Sequence, residues 1–263
     1  MRSVWKGTIA FGLVAIPCKL YSATEDKRVS FNLVHRQCQS RIQLPKWCPT
    51  CNRKLDAEEL QRVFEVSKGQ YVFMEDSDFE KLPLQSLKTV KLLEFVPPEG
   101  IDPRIFEKSY FLAPDDLGAT PFGLLREAMA KAGLWAVAKL GYRERDHLSL
   151  MRPFKDVLLL QTCFYPDELR DATGLASLQQ AMVTEQERQM ALQLVSALKV
   201  EKFDPAKYHD EYRSALYRLI EAKQAGTVLE VEKAAAPTTD LSASLKASIE
   251  AILAAKEAEE VKV

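Results

Sequence analysis

Residues 3–25 read SVWKGTIAFGLVAIPCKLYSATE, and this stretch decides the fold of the chain. β-Branched and aromatic residues dominate it, which favours a pair of strands or one bent strand. Gly7 and Gly12 permit bulges or a close approach of two backbones, and Pro17 is expected to end regular pairing because proline has no amide donor. The stretch therefore predicts β-structure.

Short apolar or alternating runs continue through the first two thirds of the sequence, bounded by turn residues. This spacing predicts many short strands that form a barrel or a sandwich. The runs cover residues 71–74, 89–95, 109–112, 135–140, 148–151 and 157–164. One helix interrupts them, for which Thr120 is a suitable N-cap, Pro121 a first-turn residue and Gly133 a terminator.

Helical periodicity replaces the strand pattern after about Thr173. Thr184 and Glu187 have the spacing of a capping box ahead of a first helix. Asp204-Pro205 is expected to open a second helix, which Gly226 ends. Apolar side chains recur along one side of that second helix, at Tyr208, Tyr212, Leu216, Leu219 and Ile220.

The last part of the sequence combines a linker with an amphipathic segment. Residues 227–240 have the composition of a linker. Residues 241–263 then repeat large aliphatic side chains on one helical face, at Leu241, Leu245, Ile249, Ile252 and Leu253. Such a face docks on its own chain, on a second copy or on another protein, and the pattern does not choose between them.

Composition limits the classes of protein that this chain can be. It has 263 residues, 47% of them hydrophobic and 28% charged, with a formal net charge of −1. Proteins that coat DNA are usually basic, so any DNA surface here must be a local positive stripe. No apolar run reaches the ~18–20 residues that span a bilayer. Five cysteines, an odd number, fit a reducing compartment, so we expect a cytoplasmic protein.

The N-terminal stretch closely resembles the start of the bacterial Ku proteins, which bind broken DNA ends in non-homologous end joining. Further segments are similar to the same family, namely residues 102–115, Leu124–Ala128, Tyr165–Arg170 and Phe203–Arg213. The resemblance runs from about residue 1 to about residue 225 and returns faintly at 241–253. Residues 257–263 lack the lysine-rich extension of many Ku proteins, so DNA bridging through such a tail is not expected.

The resemblance implies a mixed α+β fold and a division of the chain. It implies a Ku-type β-barrel core, a DNA-encircling bridge inserted in that core, a helical arm for dimerisation, a linker, and a terminal helix that recruits ligase D, an ATP-dependent DNA ligase. The barrel core is expected at residues 1–175, with the bridge inserted in it at about 35–110. The helical arm is expected at 176–226, the linker at 227–240 and the terminal helix at 241–263. Two copies would form a ring that threads onto a duplex end and associates with the nucleoid. The expected dimer contacts are Tyr208, Tyr212, Leu216 and Ile220.

Two windows of the sequence are rich in basic residues, and we predict that they face DNA. The first falls where the resemblance places the bridge and contains Arg36, Arg41, Lys46, Arg53 and Lys54. The second contains Lys131, Lys139, Arg143 and Arg145, followed by Arg152 and Lys155. The alternative is that most of these side chains are ordinary solvated surface charges.

His35-x-x-Cys38 and Cys48-x-x-Cys51 form two closely spaced pairs of metal-ligand residues. One imidazole and three thiolates suit the tetrahedral coordination of Zn²⁺, so we predict a structural zinc site that staples a segment too small for its own core. Free thiols, a reversible disulfide and an ordinary histidine are the alternatives. Cys18 and Cys163 lie in apolar runs and are expected in the core.

No motif of the sequence indicates a catalytic site. It has no phosphate-binding glycine loop, HExxH helix or nucleophile elbow, and only three histidines, His35, His147 and His209. We therefore predict a non-enzymatic homodimer that binds double-stranded DNA ends, protects them and recruits the ligase. One alternative is a zinc-stabilised interaction scaffold that does not thread DNA. Another is a metal-dependent nuclease using Asp76 and Asp78, although turn or cap duty is commoner for such residues.

Overall fold

A computed structural model describes residues 1–81, 88–143, 145–173, 184–227 and 248–249. The chain divides into two units, Met1–Asp171 and Ala172–Val263. Apart from Thr227, Ser248 and Ile249, the predicted linker and terminal helix lie outside the described residues. Within the described ranges, no helix has the length and apolar character needed to cross a membrane.

The described residues form eleven strands and four α-helices. The strands are β1 (Trp5–Phe11), β2 (Val14–Ser22), β3 (Trp47–Cys48), β4 (Arg53–Lys54), β5 (Arg62–Ser67), β6 (Gln70–Met74), β7 (Thr89–Val96), β8 (Phe106–Pro114), β9 (Trp135–Tyr142), β10 (Arg145–Phe154) and β11 (Val157–Cys163). The helices are α1 (Asp76–Glu80), α2 (Ala119–Ala132), α3 (Glu185–Leu198) and α4 (Glu211–Gln224). Seven strands close into a barrel in the order β1-β2-β8-β11-β10-β9-β7, so the predicted barrel is confirmed.

The N-terminal stretch forms the predicted strand pair. β1 and β2 are antiparallel and place Ile9 opposite Ile16, both buried in the barrel. Gly12 makes the turn between them with a φ of 58°, a conformation that glycine adopts without strain. Gly7 lies so close to the Trp5 ring and the Lys88 carbonyl that an added Cβ would clash with both. The two glycines thus serve a turn and a close approach.

The sequence predicted that Pro17 ends regular pairing, but the pairing of β2 with β1 continues through Pro17. This residue lies within β2, opposite Thr8. The Thr8 amide donates to the Lys88 carbonyl at 3.0 Å, on the side of β1 away from β2, so this pair needs no amide from Pro17. The ladder between β2 and β8 does stop here, because it begins at Cys18 and the Pro17 carbonyl accepts from the Asp115 amide instead. Pro17 therefore interrupts the pairing of β2 with β8 but not its pairing with β1.

Helix α2 covers the barrel through Phe122 and its neighbours in the core. Its N-cap is Gly118 rather than the predicted Thr120, because the Gly118 carbonyl accepts the first helical bond from the Phe122 amide at 3.0 Å. Pro121 lies in the first turn as predicted. Gly133 ends the helix with a φ of 68°, which confirms its role as terminator.

Residues 23–88 leave the barrel between β2 and β7. They carry two hairpins, β3–β4 and β5–β6, and none of the described residues in this range is buried. The excursion ends at Lys88, not near residue 110, because Val90 and Leu92 of β7 are buried in the barrel core and β7 pairs with β1 and β9. An isolated two-stranded hairpin is marginal in water, so neither hairpin is expected to be stable by itself.

The second unit contains α3 and α4. Thr184 and Glu187 form the predicted capping box at the start of α3. The next helix begins at Glu211 with Asp210 as its cap, later than predicted, because Asp204-Pro205 opens only a 3₁₀ turn over Pro205–Lys207. Gly226 follows α4 with a φ of 73°, as expected of a terminator.

A buried imidazole nitrogen gives the barrel a testable pH dependence. His147 on β10 has its Nε2 buried without a hydrogen-bond partner in the described structure, and burial followed by the nearby Arg145 charge lowers its pKa below 6.5. Below pH 6.5 the unfolded chain takes up a proton that the folded chain resists, so the His147 contribution to stability is lost as the pH falls. We expect His147→Gln to flatten the loss of unfolding free energy between pH 7 and pH 5, measured by urea denaturation. The exposed His209, changed to glutamine, is the matched control, and an equal effect of both variants would contradict the assignment.

Candidate nucleic-acid interface

Both ends of the excursion at residues 23–88 flank the same strand of the barrel. Leu20 of β2 lies opposite Trp5, so the excursion leaves at the beginning of β1, whereas Thr89, to which it returns, lies opposite Thr8 in the middle of β1. The excursion therefore connects the two strands that pair with β1. The side chains on the outer surface of these strands are the first place to look for a ligand held near the excursion.

Two lysines oppose each other on that outer surface. Lys91 on β7 is directly opposite Lys139 on β9, and Ala10 of β1 is opposite Lys91 on its other side. Like charges directly opposite in an antiparallel pair destabilise a sheet, so this arrangement costs stability unless an anion offsets it. Neither lysine forms an ion pair within the described part of the chain.

A surface depression of about 420 Å³ adjoins the two lysines. Its other described lining residues include Thr89 and Asp146, and Asp146 is the only acid among those that the structure describes. Lysine ammonium groups at the edge of a shallow depression suit the phosphates of a nucleic acid backbone, which need no base-specific geometry. We call Lys91, Lys139 and this depression the lysine pair site.

The predicted second basic window does not form a single surface. Lys131 lies on α2 and pairs with Glu127 at 2.7 Å, and Lys139 belongs to the lysine pair site. Arg143 lies in the turn between β9 and β10 with a φ of 52° and its guanidinium 5.0 Å from the centre of the Tyr142 ring. Arg145, at the start of β10, is exposed. The structure thus distributes these residues over a helix, a strand face and a turn.

Arg152 and Lys155, which follow in that window, lie against aromatic rings. The Arg152 guanidinium is 5.1 Å from the Trp135 ring centre and 5.8 Å from that of Phe154, over which Lys155 also lies. These contacts hold both side chains against the barrel wall.

The first basic window lies on the excursion. Arg36, Arg41, Lys46 and Lys54 are exposed there. Arg53 is different, because its guanidinium binds both carboxylate oxygens of Glu59 and this pairing lowers the pKa of Glu59. Four of the five predicted cations of this window thus remain open to an anionic ligand, and the fifth is already neutralised.

The sequence missed Lys91 as a candidate DNA contact. It lies in a predicted strand outside both basic windows, and its importance follows only from its register with Lys139. Lys6 and Lys19 repeat the arrangement across β1 and β2, although Asp115 binds the Lys19 ammonium. The alternation of apolar and polar residues along β7 was a weak sequence signal that Lys91 faces outward, since Lys91 lies between Val90 and Leu92, which are both buried.

The predicted zinc ligands form two pairs, each on a tight turn of the excursion. His35 Nδ1 is 3.0 Å from Cys38 Sγ, in a turn closed by the bridge between Val34 and Arg41. The Cys51 amide donates to Cys48 Sγ at 3.4 Å in the turn between β3 and β4. Among the described residues no three His, Cys, Asp or Glu side chains are placed to hold one metal ion. A shared metal ion therefore requires the two turns to approach each other.

Two of the three thiols of these pairs have lowered pKa values, whereas the hydrogen bond with the Cys48 side chain raises the pKa of Cys51. Hydrogen bonds, first from the Ser40 side chain and backbone and then from His35, lower the pKa of Cys38 to about 7. The Cys51 amide is the main cause of the lowered pKa of Cys48. Thiolate is the form that binds Zn²⁺, so the donor chemistry fits the ion. Burial instead raises the pKa of Cys18 to about 12 and that of Cys163 to about 11, as expected for core cysteines.

Asp78, one of the two acids of the predicted nuclease alternative, has a structural role. The Asp78 carboxylate accepts from the Glu75 amide at 3.0 Å and from Lys81 Nζ at 3.2 Å. It therefore caps α1, the role that is commoner for such residues. The side chain of Asp76 lies outside the described residues.

The predicted dimer contacts lie in the second unit. Tyr208 precedes α4 and stacks on Phe203 with ring centres 5.7 Å apart, while Tyr212 is 78% exposed. Leu216 and Ile220 follow Tyr212 on the same side of α4 and are half-buried. No residue of α4 is buried, so this helix keeps an apolar side that is not covered within the described residues.

Comparison with known proteins places the chain in a family. A sequence model of the Ku70/Ku80 beta-barrel domain matches residues 10–191. The non-homologous end joining protein Ku of Symbiobacterium thermophilum is 42% identical over 256 residues, which is 95% of this chain and 63% of that protein. The protein of the same name from Heliobacterium modesticaldum is 38% identical over 257 residues, 96% of this chain and 92% of the relative. The protein of the same name from Archaeoglobus fulgidus is 35% identical over 253 residues, which is 96% of this chain and 100% of that relative.

These comparisons agree with the fold and with the expected chemistry. The shared name of the relatives describes an end-joining protein. The closed barrel with its accompanying helices is the mixed α+β, Ku-type fold that the N-terminal stretch indicated. Since the domain match covers more than half of the sequence and the relatives exceed 30% identity over nearly all of it, the chain belongs to the Ku family.

Proposed function

We propose that this protein binds double-stranded DNA ends without sequence preference, as a homodimeric ring, and acts in non-homologous end joining. The observation that carries the proposal is the lysine pair site on a Ku barrel, where Lys91 follows two residues after Thr89, the point at which the chain returns from the excursion. The relatives' name supports the pathway. Phosphate contacts supply affinity without reading sequence, and a closed ring selects ends because it cannot be threaded over duplex that has none. This role places the protein at the nucleoid.

Ring formation needs a second copy, and the arm is our proposed contact. Tyr208, Tyr212, Leu216 and Ile220 offer an apolar surface for a partner subunit, and large exposed aromatic residues are common anchors of interfaces. We further propose that residues 241–263 recruit ligase D once the ring holds an end. The mass in solution tests the dimer: twice the chain mass is expected, and a single-chain mass at working concentrations contradicts it.

The affinity for linear duplex compared with covalently closed circular duplex tests end binding. At one fixed salt concentration we expect linear DNA to bind at least about tenfold more tightly, a difference of about 1.4 kcal/mol. A closed circle of the same sequence and length presents the same phosphates, so only topology differs. Equal affinity for the two forms would favour a scaffold that touches DNA without encircling it.

We also propose that Zn²⁺ binds His35, Cys38, Cys48 and Cys51 and ties the two turns of the excursion together. Bound metal would supply order to a segment in which none of the described residues is buried. The ion would have a structural role only, because four protein ligands leave no open position for chemistry.

Metal analysis and Trp47 fluorescence test this zinc proposal. We expect one zinc per chain, lost on Cys48→Ser with Cys51→Ser and also on Cys38→Ser, while Thr50→Ala in the same turn retains it. Trp47 precedes Cys48 and is 55% exposed, so its emission is expected to change when zinc draws the turns together. Full zinc content in the Cys38→Ser variant would rule out a shared four-ligand site.

A further inference from the structure

A second pair of opposed lysines lies on the outer surface that carries the lysine pair site. Lys6 on β1 is directly opposite Lys19 on β2. Because Ile9 is buried in the core, Lys6 and Ala10 lie on the outer face of β1, and Ala10 is opposite Lys91. Lys19 lies near the end of β2, where the excursion leaves the barrel, and Lys91 lies near the beginning of β7, where it returns. One pair of lysines therefore adjoins each end of the excursion.

The second pair differs from the lysine pair site because a carboxylate binds it. Asp115 accepts from the Lys19 ammonium at 2.5 Å, whereas Lys6 forms no ion pair among the residues that the structure describes. The pKa of Asp115 is lowered chiefly by its hydrogen bond with Lys19, and the Lys6 charge adds a smaller contribution. One carboxylate therefore interacts with two ammonium groups and offsets the repulsion between them.

The backbone fixes Asp115 beside these lysines. Its amide donates to the Pro17 carbonyl of β2 at 3.0 Å, and its carbonyl accepts from the Gly118 amide at 2.8 Å. Gly118 lies so close to the Pro17 carbonyl that an added Cβ would clash with it. The Asp115 carboxylate also accepts from the Asp116 amide at 3.0 Å. The turn after β8 thus holds the carboxylate in place by main-chain contacts that do not depend on the ion pair.

We propose, on the basis of the DNA binding proposed above, that Lys6 and Lys19 form a second phosphate site, which Asp115 occupies in place of a phosphate. Carboxylate and phosphate oxygens both accept charge-assisted hydrogen bonds from an ammonium group. The two lysine pairs are four residues apart along β1, about 13 Å. Phosphates repeat about every 3.4 Å of axis along each strand of a duplex, so one duplex is long enough to meet both pairs.

Asp115 thereby holds the affinity for DNA below the value that the lysines of the barrel allow. A lysine that is already neutralised releases no counterion when DNA binds, so Lys19 adds little to the salt dependence of the parent. The side chains of Lys19 and Asp115 are 24% and 37% exposed, and an ion pair this accessible contributes little to folding stability. Removal of the Asp115 charge should therefore leave the barrel folded and make Lys19 available to DNA.

The variant Asp115→Asn tests this assignment by a gain of binding. Its amide oxygen still accepts from the Asp116 amide, but it no longer neutralises Lys19. We expect linear duplex to bind about 3–10-fold more tightly at about 0.1 M salt, and the negative slope of log K against log salt concentration to become steeper by about 0.9. Filter binding over a salt series measures both quantities, and thermal unfolding checks that the variant folds.

Two further variants identify the source of the gain. Asp116→Asn is the matched control, because it removes the same charge from the next residue, which is exposed and forms no ion pair in the described part of the chain. We expect it to keep the parental slope. Asp115→Asn combined with Lys19→Gln should return to the parental slope, because the ammonium group that gained a phosphate is removed.

Three results would overturn the assignment. The first is an unchanged slope in Asp115→Asn, and the second is an equal steepening in Asp116→Asn, which would reflect total charge alone. The third is a slope that stays steeper than the parental one in the double variant, which would place the gained contact away from Lys19. Failure of the end-binding proposal is a different result, namely equal affinity of the parent for linear and closed circular duplex. A parent without affinity for either duplex would overturn both proposals.

Discussion

Replacing Trp5 with alanine is expected to lower the free energy of unfolding by about 3–5 kcal/mol, as for other large aromatic residues in cores. Trp5 is only 9% exposed and belongs to the barrel core. Its indole N–H donates to the Gly141 carbonyl at 3.1 Å, and its ring packs against Gly7. The change thus removes a core side chain and leaves a buried carbonyl without its donor. Urea denaturation followed by circular dichroism measures the loss.

Two further variants separate packing from the hydrogen bond at Trp5. Trp5→Phe keeps most of the apolar contact but lacks the N–H, so we expect a loss of about 1–3 kcal/mol, the cost of an unsatisfied buried acceptor together with reduced packing. Trp47→Ala changes a tryptophan that is 55% exposed and is expected to stay within about 0.5 kcal/mol of the parent. A loss below about 1 kcal/mol for Trp5→Ala would show that Trp5 does not hold the barrel together.

The strands of the barrel were predictable because their signals are local. The β1–β2 pair, the later strands and the cap at Thr184 follow from side-chain type and spacing within a few residues. Predictions that depended on a neighbouring strand failed. Pro17 was expected to break a strand, but whether a missing amide matters depends on which side of β2 that amide would face, and this is set by the register of β2 with β1, in which Pro17 lies opposite Thr8.

Helix starts show the same limit at short range. Asp204-Pro205 and Asp210 both have the residue types of a helix start, and the structure uses the second for α4. Thr120 is a good cap by type, but Gly118 already accepts the first helical bond. Residue type indicates where a helix can start, whereas contacts with the rest of the fold select among neighbouring candidates.

The candidate site was predictable in kind but not in its residues. A Ku-like sequence predicts a DNA surface, and the basic windows are the sequence's prediction of where it lies. The windows missed Lys91, because density of charge along the chain does not report which residues meet across a sheet. They included Arg53 and Lys131, whose charges Glu59 and Glu127 already offset. Register, which is a property of strand pairs, decides which charges remain without a partner.

The double variant Lys91→Gln with Lys139→Gln is therefore expected to weaken binding of linear duplex on the order of 10–100-fold at about 0.1 M salt. The slope of log K against log salt concentration is negative, and each lost phosphate contact makes it less steep by about 0.9, so its magnitude should decrease by about 1.8. Stability should not fall with it, because removing two opposed like charges relieves repulsion between β7 and β9. Filter binding over a salt series measures the slope, and thermal unfolding measures the stability.

Lys131→Gln is the matched control for that double variant, since it also removes a lysine charge from the first unit. Lys131 is paired with Glu127 on α2 and lies outside the lysine pair site, so its loss should change the slope much less than either lysine of the pair. A larger effect from Lys131 than from the double variant would move the DNA surface to the helix side of the barrel. An unchanged slope in the double variant would mean that Lys91 and Lys139 oppose each other for a reason other than phosphate binding, and the lysine pair site would then not be part of the DNA surface.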